Sequence, residues 1–343
     1  MCYMKYTIEE YLLNEHNAAS KARKDVSHFV LQNGFCSLFK NDKTMMRHNK
    51  WAKLLLTIRL CVKLLMIGKN DVLFIQTSLI VLKQILKIKA IKKFKVIYLI
   101  HDLYSLKYNT ESSIKKHSEK IRKDITLISQ CNVIIAHNES MIQKLKDFGC
   151  TSKLISLKIF DYNCPYPVRI RRLLMKEKIQ ITFAGYLGKA EFLERLGSTV
   201  HKNYQLLIYG IPKIAVNNSI YKGCVDADSL PNVIEGHFGL IWEGSYDAVQ
   251  IDNYMCINNP HKLSMYIVAG LPIIAWKKSA IAQFVESNGI GVTVNSLDEL
   301  DNCVKEITPD KYSVMVENCL SIRKKLVVGG YLQDALRSCL AYI

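Results

Sequence analysis

The feature that most constrains this chain is a recurrence: a short apolar, largely β-branched run, a helix-length segment, then another such run. VLFIQ (72–76), KVIYLI (95–100) and NVIIAH (132–137) make a first set. IQITFAG (179–185), YQLLIYG (204–210), HFGLIWEG (237–244), LPIIAW (271–276) and IGVTV (290–294) make a second. Runs that are apolar throughout belong to strands buried on both faces, and strands separated by helices pair in parallel. A polar, proline-bearing stretch, DYNCPYPVRIRR (161–172), divides the two sets. The pattern therefore predicts an α/β chain of two Rossmann-like domains, 1–165 and 166–330, facing across a cleft. YLQDALRSCLAYI (331–343) is expected to form a C-terminal helix that packs back on the first domain. With 343 residues, 49% of them hydrophobic, there is material for two cores.

Composition excludes several classes. The charge-free apolar run Val72–Leu82 is shorter than the roughly 20 residues a membrane span needs, and MCYMKYTIEEYLLNE places acidic residues where a signal peptide has its apolar core. A cytoplasmic protein is expected. Eleven cysteines are scattered from Cys2 to Cys339 without a C-x-x-C pair, and no H-E-x-x-H occurs among nine histidines, so disulfides and a protein-held metal are not expected. The net charge of +17 is uneven: residues 1–180 carry 33 Lys and Arg against 14 Asp and Glu, a net +19, whereas residues 181–343 carry 14 against 16, a net −2. A basic half attracts anionic lipid, nucleic acid or a diphosphate-bearing substrate, and charge alone does not choose among them. The basic residues Lys50, Lys53, Arg59 and Lys63 do not share one helical face, so no clean amphipathic anchor is legible.

In doubly wound sheets ligands gather beyond the carboxyl ends of strands, so the residues following each run are the candidates. NNPHKLSMYI places Asn258 or Asn259 at the end of a loop, Pro260 in a first helical turn, and His261 and Lys262 beside unsatisfied backbone N–H groups, with Ser264 on the same short helix. A lysine where the helix already presents positive charge is suited to an anion, a diphosphate above all. Gly185-Tyr186-Leu187-Gly188-Lys189 is a turn through which backbone can approach a ligand and Lys189 can reach a phosphate. It is not a Walker loop, because Phe183 and Ala190 replace the outer glycine and the Ser/Thr. Tyr209-Gly210-Ile-Pro is a second tight turn. Glu243 and Asp247 could hold sugar hydroxyls or cap a helix. In the first half, KVIYLI runs into His101-Asp102, either of which could be a general base, although Asp102 could equally cap the next helix. Ser20-Lys21-Ala-Arg-Lys-Asp25 opens a helix and is a second candidate anion site.

These residues resemble bacterial glycosyltransferases of the GT-B type, in particular the β-1,6-galactofuranosyltransferases of surface-polysaccharide (O-antigen, lipopolysaccharide, capsule) assembly. The similar stretches are KARKD (21–25), LIHD (99–102), KIFDY (158–162), FAGYL (183–187), FGLIWEG (238–244) and NNPHKLSMYI (258–267). A more distant likeness is to adhesin-modifying glucosyltransferases. The resemblance implies a nucleotide-diphosphate sugar donor, a UDP-sugar, bound mainly by the second domain, with Lys262 and Lys189 at matching positions; Gly185, Tyr186, Tyr209, Gly210, Asn259, His261 and Ser264, read above from their places after the strands and on the Lys262 segment, complete the candidate donor site. It implies an acceptor approaching from the first domain; the chemistry of an inverting displacement needs a base, for which Asp102 assisted by His101 is the candidate, and Ser20 and Lys21 are candidate acceptor or phosphate contacts. No cofactor is implied. Lys189 falls where the adhesin enzymes carry an arginine, which keeps the charge without the bidentate fork. The E-x7-E pattern of many retaining GT-B enzymes is not evident, the corresponding helix carrying His261, Ser264 and Tyr266 instead, and no Asp-x-Asp metal motif is read in the cleft. An inverting, metal-independent transfer onto a lipid-linked glycan at an anionic membrane surface is therefore expected, with a homo-oligomer possible on the adhesin-modifying likeness and UDP-glucose transfer to a glycan or glycoprotein as the alternative. A nucleotide-sugar epimerase and a non-enzymatic nucleic-acid-binding protein are the rivals from other classes; the chain carries no nucleic-acid recognition motif.

Overall fold

The computed structural model describes residues 3–11, 18–42, 50–107, 111–167, 171–172, 178–199, 203–247 and 253–343. Parts of two stretches read above, the N-terminal fifteen residues and the 161–172 linker, lie outside them. The chain divides into two compact units, Met1–Asp161 with Gly329–Ile343, and Tyr162–Val328.

The first unit is a six-stranded parallel sheet in the order β2-β1-β3-β4-β5-β6. Its strands are β1 (Lys5–Tyr11), β2 (Cys36–Asp42), β3 (Val72–Ile75), β4 (Lys95–Leu99), β5 (Val133–Ala136) and β6 (Lys153–Ser156). Its helices are α1 (Ala18–Gln32), α2 (Lys50–Leu65), α3 (Leu79–Lys92), α4 (Glu111–Ile128) and α5 (Glu139–Asp147). The three strands expected from sequence are buried almost throughout, as strands covered on both faces must be. Phe29, Val30, Phe35, Phe74, Ile97 and Leu99 pack one side of the sheet together with Leu332, Ala335, Leu336 and Cys339 of the C-terminal helix, α12 (Gly330–Tyr342).

That helix fixes where the units part. The buried Asp161 carboxylate accepts the backbone N–H groups of Tyr331 (3.1 Å) and Leu332 (2.6 Å), which the first turn of α12 leaves unsatisfied. Gly329, at φ 75°, lies so close to Phe29 that a Cβ would meet the ring at 2.5 Å. Tyr162 belongs to the second unit: its N–H donates to Leu326 O (3.3 Å) and its ring stacks on His261. The division therefore falls four residues before the expected 165/166 boundary.

The second unit has β7 (Ile179–Tyr186), β8 (Tyr204–Ile211), β9 (Ser219–Gly223), β10 (Phe238–Ile241), β11 (Ile273–Trp276) and β12 (Gly291–Val294), all parallel, in the order β12-β11-β10-β7-β8-β9. Its helices are α6 (Phe192–Ser198), α7 (Leu230–Val233), α8 (His261–Val268), α9 (Ala282–Ser287), α10 (Leu300–Lys305) and α11 (Pro309–Leu326). Read from β9 inward, this is the dinucleotide-fold order, whose strand order reverses between β7 and β10; the first unit's order has its reversal between β1 and β3. Crevices form at those reversals because the helices on either side run to opposite faces. No helix among the described residues is long and apolar enough to cross a membrane.

Candidate active site

Next to the second unit's reversal point, on the β8 side of β7, the sequence has removed side chains where backbone must close up. Gly185, at the end of β7, pairs with Gly210 of β8, and a Cβ on Gly210 (φ 140°) would stand 1.8 Å from Gly185 O. Beside Gly185 lies Lys262: a Cβ on Gly185 would sit 3.0 Å from its Cε and 3.1 Å from its Nζ. The ammonium lies 4.4 Å from the centroid of Phe183, a buried β7 ring, a contact that stabilises a cation without neutralising it. Among the described residues the Lys262 ammonium makes no hydrogen bond or ion pair. Burial pushes it below the ordinary lysine range, and the carboxylate of Glu243, beyond the end of β10, opposes that shift. Lys262 is a half-buried cation in the first turn of α8, whose N-cap residue Pro260 makes no side-chain cap hydrogen bond, and a cation beside uncapped helix N–H groups is an arrangement suited to an anion.

Tyr266 explains why α8 starts here. Its hydroxyl accepts the Ala184 N–H (2.9 Å) and donates toward Thr182 O (3.2 Å), and its ring lies over Gly239, where a Cβ would approach to 2.4 Å. One residue of β10 without a side chain thus seats the helix across β7 and β10.

The other expected donor residues fall into two groups. Asn259 and Ser264 are buried beside Lys262 on the same segment, and the Asn259 N–H is held by Asn258 Oδ1 at 2.8 Å. Pro260 is the residue before the helix, not within its first turn as expected, so His261 and Lys262 are its first two residues. The His261 ring stacks on Tyr162 at 4.8 Å. Lys189 and Tyr186, by contrast, are exposed, and Tyr186 folds over Gly188. The Tyr209 side chain turns into the protein, where its hydroxyl accepts the Glu235 N–H (3.1 Å). Asp247 is engaged by Arg195 at 3.1 Å on the surface.

In the first unit two separate motifs meet through a residue the sequence reading passed over. Gln76, just past β3, donates its amide to Arg23 O (3.0 Å) and Ser27 Oγ (2.8 Å) of α1 and turns its carbonyl to His101 Nε2 at 2.6 Å. A backbone carbonyl can only accept, so the amide orientation is set, Gln76 Oε1 must accept, and His101 Nε2 carries a proton. In the neutral ring Nδ1 is then the basic nitrogen. The imidazole stacks on Phe160 (5.3 Å, 16°), whose ring also meets buried His137 edge-on. Asp102 is half-buried and is followed by a 3-10 turn at Tyr104–Lys107, not directly by an α-helix. Lys21, expected to face an anion, is buried against Asp25 at 2.5 Å, one turn along α1, so its charge is already balanced; the Ser20 hydroxyl finds no hydrogen-bond partner among the described residues.

Two spacings that bear on metal and mechanism occur but do other work. Asp226-Ala227-Asp228 is an Asp-x-Asp that the sequence reading passed over. Although burial acts to raise its pKa, Asp226 is held below the usual carboxylate range by hydrogen bonds from Ser229 and the Asp228 N–H (3.0 Å), in a turn leading into α7. Glu235 and Glu243 stand eight apart, yet β10 runs between them and Glu235 pairs with Lys222 at 2.8 Å.

Models of the glucosyltransferase 3-like N-terminal and C-terminal domains match residues 4–159 and 181–339. β-1,6-Galactofuranosyltransferase WbbI of Escherichia coli (strain K12) is 31% identical over 71% of this chain and 71% of its own. The chain belongs to the glucosyltransferase 3-like family of glycosyltransferases. Glucosyltransferase 3 of Streptococcus parasanguinis is 24% identical over 71% of this chain and 69% of its own. Anabaena Alr3699/HepE, solved in complex with UDP, superposes with a TM-score of 0.63 at 12% identity, covering 99% of this chain and all of that one. The fold is thus GT-B.

Proposed function

We propose that this glycosyltransferase moves a hexose from a UDP-sugar, galactofuranose by preference, with inversion at the anomeric carbon and without a metal, onto a lipid-linked glycan in surface-polysaccharide synthesis. The observation that carries the donor half is the Lys262 ammonium, desolvated and without an ion partner among the described residues, against Gly185 in the first turn of α8. A donor diphosphate there gains charge-assisted hydrogen bonds from Lys262 and the α8 N–H groups, and both strengthen as negative charge builds on the leaving UDP. Asn259 and Ser264 sit on the same segment, and Lys189 and Tyr186 at the exposed turn after β7 are the remaining donor contacts.

In the inverting step the acceptor oxygen forms a bond to the anomeric carbon as the bond to UDP breaks, and the acceptor proton passes to a base, assigned to Asp102 with His101. The uptake of His101 Nε2–H by Gln76 supports a ring held in one orientation. The preference for galactofuranose is supported by the likeness to WbbI; that for a lipid-linked acceptor is supported by the +19 charge of residues 1–180.

The test is calorimetry with UDP in the presence of chelator, followed by turnover of UDP-galactofuranose and UDP-glucose. Micromolar UDP binding that chelator leaves unchanged, with faster release of UDP from UDP-galactofuranose when a lipid-linked glycan is added, is the expected result. Absence of UDP binding overturns the donor reading, and faster turnover of UDP-glucose replaces galactofuranose with glucose.

A further inference from the structure

Helix α2 is apolar on two opposite faces. Leu60, Leu64 and Ile67, just past its end, are buried. On the other side Trp51, Leu54, Leu55, Ile58, Val62 and Leu65, continued by Met66, are all between 49% and 78% exposed. Their spacing of three, four and seven residues places them on one stripe of the helix. Large contiguous apolar surfaces on a folded chain mark a place where something docks.

Charge selects the occupant. Residues 43–70 contain seven Lys and Arg and no Asp or Glu. At 100° per residue, exposed Arg59 and Lys63 lie along one edge of the stripe. Past the end of α2, Lys69 joins Lys89, Lys93 and Lys95 around a shallow cleft. Burial lowers the pKa of Lys89, and the like charges of Lys95 and Lys93 lower it further, so an anion at this rim relieves repulsion. A second copy of the same face would bring these cations against their own kind. An anionic bilayer meets both halves of the surface: acyl chains take the apolar stripe, phosphates take the basic edge, and a tryptophan suits the interface between them.

We infer that α2 is an interfacial membrane anchor, its Trp51–Met66 stripe lying in the headgroup boundary of an anionic bilayer with Arg59, Lys63 and Lys69 on the phosphates. The use of such an anchor rests on the lipid-linked acceptor proposed above, but vesicle binding needs neither donor nor acceptor, so the two ideas fail separately.

The chain carries its own reporter. Of its three tryptophans, Trp242 and Trp276 are buried and Trp51 is 78% exposed. The full chain is mixed with vesicles of phosphatidylglycerol and phosphatidylcholine, or of phosphatidylcholine alone, and followed by tryptophan emission and co-sedimentation. Blue-shifted emission, quenching by brominated acyl chains, and sedimentation with the phosphatidylglycerol vesicles that weakens with salt are the expected results. Leu55→Glu/Ile58→Glu should reduce partitioning by roughly a hundredfold, with circular dichroism and UDP affinity unchanged because both side chains point to solvent. Arg59→Glu/Lys63→Glu should abolish the preference for phosphatidylglycerol. Absence of sedimentation with anionic vesicles, or sedimentation that survives Leu55→Glu/Ile58→Glu, overturns the anchor. So does a lipid-free dimer that the same double substitution converts to monomer, which makes the face a self-interface.

Discussion

Replacing Lys262 with methionine separates a ligand-binding cation from a structural one. Methionine keeps nearly the length of the side chain and its packing against Phe183 and Gly185, while removing a charge that folding desolvates without pairing it to any described residue. A side chain whose charge is buried at a cost should leave the apo enzyme as stable as before or more so. The ligand pays the difference. Hydrogen bonds to a charged group contribute about 1.5–3 kcal/mol, or about 10- to 150-fold in Kd, whereas the α8 N–H groups that remain contribute about 0.3–1 kcal/mol. Titration of UDP into both proteins by calorimetry should therefore show affinity falling about 10- to 150-fold with no loss in Tm. The linkage has a definite sign. The folded-state pKa of Lys262 lies below the ordinary 10.5, so stability rises as pH climbs from the lowered value toward 10.5, where the unfolded chain still binds the proton and the folded one does not. Bound diphosphate favours the protonated form, so UDP affinity should fall across the same window in the wild type and lose that dependence in Lys262→Met. A variant that binds UDP within about twofold of the wild type, or that loses both binding and several degrees of Tm, refutes the assignment.

Gly185→Ala places a methyl 3.0–3.1 Å from the end of the Lys262 side chain; UDP affinity should fall by less than in Lys262→Met, with Tm nearly unchanged. Gly239→Ala drives a Cβ into the Tyr266 ring at 2.4 Å, and thermal denaturation should show a loss of about 1–3 kcal/mol together with weaker UDP binding as α8 shifts. Asp161→Ala removes both carboxylate hydrogen bonds to the first turn of α12; urea denaturation followed by circular dichroism should show a loss of about 1–3 kcal/mol while UDP affinity holds. Asp102→Asn should lower kcat by about 10²–10⁴ without changing UDP affinity; an unchanged kcat moves the base elsewhere.

What the sequence could show depended on where each strand lies in its sheet. The eight runs read as strands are all strands, and seven of them are interior to the sheets. Three of the four unread strands, β2, β6 and β9, are sheet edges; β6 and β9 are mostly half-exposed, so they lack the apolar run that marks a strand buried on both faces. The fourth, β1, is interior, but its KYTIEEY carries Glu9 and Glu10. Both are buried, Glu9 accepting from Ser37 and Glu10 near Arg23 at 3.9 Å, and adjacent charges hide a strand from any hydrophobic pattern. The candidate site was legible for the same kind of reason. Lys262 stands out because a cation in a first helical turn conflicts with the helix dipole. Gln76 does not, since only the meeting of β3, α1 and β4 gives its amide three partners.

The α2 segment is the opposite case, in which the residues are plain and their meaning is hidden. A helix apolar on one side predicts its own burial, but a helix apolar on both sides reads as wholly interior. The basic residues of KWAKLLLTIRLCVKLL, taken alone, also fail to define a single polar face. Only the fold resolves this, by burying Leu60 and Leu64 and leaving Leu54, Leu55, Ile58 and Val62 in water with Arg59 and Lys63 along their edge. The apolar stripe is what an amphipathic helix would present, and the body of the first unit occupies the side where such a helix would carry its polar face. An anchor built this way cannot be found by seeking one hydrophobic and one charged face. It is recognised by asking which of two hydrophobic faces the sheet leaves uncovered, and whether the charges beside that face carry one sign.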